Sequence, residues 1–118
     1  MLTVLETSKI FINNQPIDMR KSINGLSAMI VDVFEESPQS NHLFVFYNKA
    51  RDKVKIVFWD RNGFVLYYKR LDKHKFKFTK SNDSEAIEIT SNQLQWLLAG
   101  LDFQLMQEFN HLDYSEYY

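Results

Sequence analysis

HLFVFYNKARDKVKIVFWDRNGFVLYYKRLDKHKFKF, residues 42–78, contains three β-prone runs that are rich in aromatic and branched apolar side chains. The runs are residues 42–47, 54–59 and 64–71. The dipeptide Asn62-Gly63, a strong hairpin signal, separates the second run from the third. Consecutive strands joined by short turns predict an antiparallel sheet at the centre of the fold.

The register of this hairpin decides which side chains share a face of the sheet. We predict a type I turn with Gly63 in the left-handed bulge position, which pairs Asp60 with Phe64. One face would then be apolar and would carry Val54, Ile56, Phe58, Leu66 and Tyr68. The other face would be basic and aromatic, and would carry Lys55, Val57, Trp59, Val65, Tyr67 and Lys69. A two-residue loop is the alternative, and it would shift the pairing by one position and mix these sets.

An amphipathic helix is predicted before the sheet region. Apolar residues recur from Met19 to Val33 at spacings of four, three, four and three, which is one helical stripe. Asp18 is placed to cap this helix, and Pro38 should stop it by Ser37. Gly25 within the stripe costs about 1 kcal/mol relative to Ala. We therefore expect the helix to approach the sheet closely at that glycine.

A second helix is predicted near the C-terminus. Leu94, Leu97 and Leu98 form its apolar stripe, and Thr90 with Gln93 has capping-box spacing. The helix should stop near Gly100, and the following tail should be helical to about residue 110. Short strands are expected at residues 9–12, 75–78 and 86–89. Together these elements predict a single α+β domain over residues 1–118. It has a mainly antiparallel sheet of about four to six short strands, and both helices pack against that sheet.

Charge is strongly segregated along the chain although the total is only −1. Residues 49–80 hold eleven Lys/Arg and three Asp, a net charge of +8. Residues 81–118 hold seven Asp/Glu and no Lys or Arg, and residues 1–48 have a net charge of −2. A basic surface rich in aromatic rings suits a polyanion, so nucleic acid is the first partner to consider.

Composition excludes several other classes of protein. No apolar run approaches the length of a membrane span, and the N-terminus lacks the pattern of a secretory signal. The absence of cysteine removes disulfides and thiolate metal sites and fits a cytoplasmic protein. No Gly-rich phosphate loop, nucleophile elbow or histidine cluster is present, so we predict no cofactor, metal site or catalytic residue.

Several of these residues, taken in order, resemble a known family. They are Pro16-Ile17-Asp18-Met19-Arg20-Lys21, Gly25-Leu26, His42-Leu43-Phe44-Val45-Phe46, Lys55-Ile56, Trp59-Asp60-x-x-Gly63-Phe64, Leu66-Tyr67-Tyr68-Lys69-Arg70-Leu71 and Leu94-x-x-Leu97-Leu98-x-Gly100. Their order and spacing are similar to the Orf2-like accessory protein of the sixty-six family of bacterial insertion sequences. The resemblance covers residues 8–103. It implies a non-enzymatic protein that assists a separately encoded transposase in transposition, a form of DNA recombination.

Fourteen residues are candidates for contact with DNA, at the ends of an insertion sequence, or with the transposase. They are Arg20, Lys21, Lys49, Arg51, Lys53, Lys55, Trp59, Arg61, Tyr67, Lys69, Arg70, Lys73, Lys75 and Lys77. The cations would meet phosphates, and the rings would stack on bases or pack along sugars. Arg20 and Lys21 are expected in the first turn of the N-terminal helix, facing an anion.

The same residues also allow roles that do not involve DNA. The cations could be solvated strand faces, or they could pair with the acidic tail of the same chain or of a second copy. The protein could also be a protein-interaction module without nucleic-acid contact. Catalysis by Asp18, Asp60 and Asp102 is the weakest hypothesis, because each has an ordinary structural role as a cap, a turn residue or a residue beyond a helix end.

Overall fold

The fold is an α+β arrangement, seen in a computed structural model that describes residues 8–78 and 86–102. In chain order the elements are β1 (Ile10–Ile12), α1 (Ile23–Phe34), β2 (Leu43–Tyr47), β3 (Lys53–Asp60), β4 (Gly63–Arg70), β5 (Ile87–Ile89) and α2 (Ser91–Leu98). The strands form one sheet in the order β4-β3-β2-β1-β5. Only the β1–β2 pair of this described sheet is parallel. The predicted fold class, a mainly antiparallel sheet with an N-terminal and a C-terminal helix, is confirmed.

Helix α1 covers one face of the sheet, which we call the α1 face. Leu26 and Ile30 of α1 are fully buried there against Phe44, Phe46 and Val57. These sheet residues come from alternate positions of β2 and from β3, as the two-residue period of a strand requires. The apolar stripe predicted for α1 therefore packs onto the sheet.

The opposite face, the α2 face, is covered by α2 together with residues 71–78. Leu94 and Leu97 of α2 are buried in its core. Phe76 and Phe78 are buried beside them, and the Phe78 ring stacks on Tyr47 with 4.0 Å between ring centroids. The central strands of the sheet are thus covered on both sides.

The predicted hairpin register is wrong. β3 and β4 are joined by the two-residue loop Arg61-Asn62, so that Asp60 pairs with Gly63 and Trp59 pairs with Phe64. Arg61 takes a positive φ in the turn, 55°, whereas the prediction placed the left-handed position at Gly63. This is the alternative register, and it moves every β4 side chain by one position relative to β3.

Burial on both faces gives the physical reason for this register. The prediction assumed one buried face and one solvated face, as in many antiparallel sheets. Here both faces are covered, and the observed register supplies an apolar cross-strand pair to each. Val57 lies opposite Leu66 on the α1 face, and Ile56 lies opposite Tyr67 on the α2 face.

The start of α1 also differs from the prediction. The helix begins at Ile23 with Ser22 at the N-cap position, so Asp18 is not its cap and Arg20 and Lys21 precede it. Gly25 does not mark a close approach to the sheet. The atoms nearest to a Cβ placed there all belong to the Lys21 side chain, the closest at an ordinary 3.5 Å.

Residues 75–78 are not a strand, although their alternation was correctly predicted. Phe76 and Phe78 are buried while Lys75 and Lys77 are exposed. The strand at β5 and the capping box of Thr90 at the start of α2 are confirmed. The predicted helical tail lies outside the described residues. Neither helix within residues 8–78 and 86–102 is long and apolar enough to cross a membrane.

Candidate functional site

The basic, aromatic sheet face predicted from the sequence is divided by the observed register. Lys55 and Trp59 point to the α1 face, whereas Tyr67 and Lys69 point to the α2 face. The prediction that these four side chains share one surface is therefore wrong. The candidate residues separate into groups, and their largest concentration lies at one end of the α1 face.

A concave surface occupies that end of the α1 face, and we call it the basic groove. It is an open depression with a volume of about 630 Å³, and its lining includes the cationic residues Arg20, Lys49, Lys53 and Lys55 together with Tyr68. Its walls come from two separate stretches of chain, the segment before α1 and the turn between β2 and β3. Four of the predicted candidate cations thus meet at one site.

The turn between β2 and β3 is shaped by the side chain of Asn48. Its carbonyl oxygen accepts hydrogen bonds from the backbone N–H groups of Asp52 and Lys53, at 3.1 and 3.0 Å. Its amide nitrogen donates to the Asp52 carboxylate at 2.6 Å, and this hydrogen bond lowers the pKa of Asp52. Asn48 therefore fixes the turn that carries Lys49 and places Lys53 at the start of β3.

Lys55 holds the other wall of the groove in place. Its Nζ donates to the carbonyl oxygens of Met19 and Lys21, at 2.7 and 2.8 Å. These bonds join the middle of β3 to the segment just before α1, more than thirty residues away in sequence. Lys55 is thus first a structural residue, although its charge still contributes to the potential of the groove.

Arg20 and Asp18 form an ion pair at the rim of the groove. The guanidinium donates to both carboxylate oxygens, with a shortest distance of 2.6 Å. The side-chain hydrogen bond from Arg20 holds the pKa of the Asp18 carboxyl well below its usual value, and the carboxylate raises the pKa of Arg20. The Arg20 side chain is 91% exposed, so it remains accessible but is partly neutralised.

A block of four side chains on β3 and β4 forms the floor of the groove and its border. Lys53 lies directly opposite Arg70, and Lys55 lies directly opposite Tyr68. Such opposite side chains have Cβ atoms about 5 Å apart, and alternate residues along a strand are about 6.6 Å apart. The block therefore places three cations and one ring at adjoining positions of the same sheet face.

Tyr68 is the site residue that sequence reasoning missed. The preferred register put Tyr68 on the apolar face, but it is 51% exposed, and the Lys55 ammonium lies 5.5 Å from its ring centroid. The alternative two-residue hairpin loop would have placed Tyr68 beside Lys55. The length of the hairpin loop was the sequence signal that could have found it.

The remaining candidate residues lie outside the groove. Lys69 on the α2 face donates to the carbonyl oxygen of Leu98 at 2.7 Å, at the end of α2. Three further candidates lie in the 71–78 segment beside the α2 face. They are Lys73, Lys75 and Lys77, and all three are exposed. Arg51 lies in the 48–53 turn with φ 61°, and its carbonyl oxygen accepts from Phe76 N–H. Lys21 is exposed just before α1.

Trp59 and Arg61 line a second cavity, of about 490 Å³, at the hairpin end of the β3–β4 ladder. The Trp59 ring packs edge-on against Phe64, with ring centroids 5.0 Å apart. Asp60 lines this cavity, whereas Asp18 lines the basic groove at the other end of the ladder. Within residues 8–78 and 86–102, no three His, Asp or Glu side chains come together as metal ligands would.

Comparison with known proteins identifies relatives of this chain and the family to which it belongs. The chain is 33% identical over 95 residues to uncharacterized protein y4jC of Sinorhizobium fredii, a match that covers 80% of each chain. It is 32% identical over 108 residues to uncharacterized protein y4hO of the same organism, covering 92% of this chain and 93% of the relative. No solved structure matches the chain. The model of the IS66 Orf2 like protein family matches residues 8–108, so the chain belongs to that family, as its sequence motifs indicated.

Proposed function

We propose that this protein is a non-catalytic accessory factor of an insertion-sequence transposition system, and that it binds DNA through the basic groove. The family suggests the process, an insertion sequence and its mobility. The groove supplies the chemistry, because clustered Lys and Arg side chains on a concave surface attract a phosphodiester backbone. The protein would then help its transposase by holding DNA.

The observation that carries this proposal is the block of Lys53, Arg70, Lys55 and Tyr68 at the groove floor and its border. Lys53 and Arg70 make no hydrogen bond or ion pair through their side chains with other residues of the described chain, although the charge of Lys53 also interacts with the Asp52 carboxylate. The carboxylate of the groove, Asp18, is already engaged by Arg20. The site therefore has a surplus of positive charge that an external anion can neutralise.

Salt dependence measures how many phosphates are bound. Three accessible cations line or border the groove, namely Lys49, Lys53 and Arg70. Three phosphate contacts predict that log affinity falls with log salt concentration at a slope of about −2.7 for duplex DNA and about −2.1 for single strands. Fluorescence anisotropy of a labelled insertion-sequence end, titrated at several salt concentrations, gives this slope for each form of DNA.

A matched pair of variants tests whether the groove is the site. The double substitution Lys53→Gln with Arg70→Gln removes two groove cations and should lower the salt slope by about 1.4 to 1.8. The control, Lys73→Gln with Lys77→Gln, removes the same charge from the exposed segment beside the α2 face. Equal losses of affinity in the two double variants, or no DNA binding by the wild-type chain, would contradict the proposal.

A second candidate function is direct binding to the transposase. Strand β4 favours it, because this eight-residue strand lies at the edge of the described sheet and has one side without a partner strand there. Such an edge accepts an added strand from another protein. Co-purification of the chain with its separately encoded transposase, in nuclease-treated extract, tests this role independently of DNA.

A further inference from the structure

Tyr68 gives the basic groove a feature that phosphate binding does not require. Its ring is half exposed on the groove floor, although it lies within a strand whose neighbouring apolar residues are more buried. The Lys55 ammonium lies over one face of the ring, 5.5 Å from its centroid, and Lys55 itself is held by two backbone carbonyl groups. The ring is thus half exposed, with the ammonium of Lys55 over one face, and a base would stack on the other face.

We propose that the basic groove preferentially binds an unpaired DNA strand, with one base stacked on Tyr68 and the adjoining phosphates on Lys53 and Arg70. This inference rests on the proposed function, and it names the form of DNA that the same site selects. Proteins that bind single strands combine these two elements, a basic track for the backbone and exposed aromatic rings for the bases.

Access to the base decides between single-stranded and duplex DNA. In a duplex the faces of the bases are stacked on each other, so only phosphates and groove edges can meet the protein. The groove is an open depression, and the exposed Tyr68 ring lies on its floor. An unpaired base can lie flat on that ring, whereas the bases of a duplex are already stacked on each other.

The spacing of the groove side chains agrees with this arrangement. Tyr68 and Arg70 are alternate residues of β4 on the same face, about 6.6 Å apart along the strand. Lys53 lies opposite Arg70, so the two free cations flank one side of the ring. A base on Tyr68 therefore leaves its own backbone within reach of both charges, and one strand can use all three side chains at once.

Anisotropy titrations of the full chain with a labelled single strand and with the matching duplex test the inference. The wild-type chain should bind the single strand more tightly. Tyr68→Leu keeps apolar bulk but removes the ring, and it should weaken single-strand binding roughly 5- to 100-fold. Duplex binding should change less than about twofold, because the ring makes no stacking contact there.

Tyr68→Phe is the matched control, because it keeps the ring and should bind single strands within about threefold of the wild-type chain. Thermal unfolding of each variant shows whether a loss of binding reflects a loss of folding. Equal wild-type affinity for the two forms of DNA, or equal losses on both forms in Tyr68→Leu, would overturn the preference for unpaired DNA. The proposed function would survive those results, whereas failure of the wild-type chain to bind either form would remove both.

Discussion

The two faces of the sheet each use a lysine to attach the chain that covers them, but only on the α1 face do further cations occupy the neighbouring positions of β3 and β4. On the α1 face, Lys55 donates to the carbonyl oxygens of Met19 and Lys21, just before α1. On the α2 face, Lys69 donates to the carbonyl oxygen of Leu98, at the end of α2. The difference lies in the neighbouring positions of the sheet. Lys53 is next to Lys55 on the same face of β3 and lies opposite Arg70, whereas Lys69 lies opposite the apolar side chain of Val54.

This comparison shows that a count of lysines on a strand does not identify a binding surface. Lys69 satisfies a carbonyl group in the last turn of α2, where backbone acceptors lack helical partners, and Lys55 satisfies two carbonyl groups of the segment before α1. Only the cations left over, such as Lys53 and Arg70, are available to an external anion. A DNA-binding surface therefore requires cations beyond those that are engaged in hydrogen bonds within the fold.

The largest expected effect concerns the cores of the two faces. Phe76→Ala should cost about 3–5 kcal/mol of unfolding free energy, because Phe76 is only 1% exposed although its segment forms no helix or strand. Phe44→Ala is the counterpart on the α1 face, where Phe44 is fully buried. Denaturant unfolding measures both losses. A cost below about 1 kcal/mol for Phe76→Ala alone would mean that the 71–78 segment detaches independently.

The next effect separates structural lysines from available ones. Lys55→Met should cost about 2 kcal/mol, because it removes two charge-assisted hydrogen bonds, one of them partly shielded from water. Lys53→Met, two residues earlier on the same strand and face, should change stability by less than about 0.5 kcal/mol. Denaturant midpoints distinguish the two variants. Similar losses of stability in the two variants would show that Lys55 is no more important to the fold than Lys53.

A smaller effect compares the starts of the two helices. Thr90→Ala should cost about 1 kcal/mol, because the Thr90 side chain accepts from Gln93 N–H in a complete capping box. Ser22→Ala should cost a few tenths of a kcal/mol or less, because the Ser22 side chain makes no capping hydrogen bond. Thermal unfolding of the two single variants measures this contrast. It is contradicted if Ser22→Ala is the more damaging change.

The smallest effect is a response to acid at the groove end of the molecule. Hydrogen bonds from Arg20 and Asn48 lower the pKa values of Asp18 and Asp52, respectively, in the folded protein. Their contribution to stability is present above the unfolded value of about 3.9 and is lost as the pH falls through the lowered folded values. Solvent reaches both carboxylates, so the effect should be small. Asp52→Asn should flatten the fall in melting temperature between about pH 5 and pH 2.5, and an unchanged fall would contradict this role.

Local patterns in the sequence predicted most elements of the fold. The apolar stripe of α1, the three long strands, β5 and the capping box of α2 depend on contacts between residues a few positions apart. The site was only partly predictable. Lys53, Lys49 and Arg70 were identified from charge, but Tyr68 was assigned to the wrong face because the hairpin turn was taken to be one residue longer.

The sequence by itself determined the type and order of the elements, the concentration of cations in residues 49–80, and the family. The tertiary structure alone decided the hairpin register, the role of Lys55 and the composition of the basic groove. The physical reason is that a shift of one residue reverses every side chain of a strand, while the same turn residues permit either loop length. The burial of both sheet faces, a property of the whole chain, selects between them.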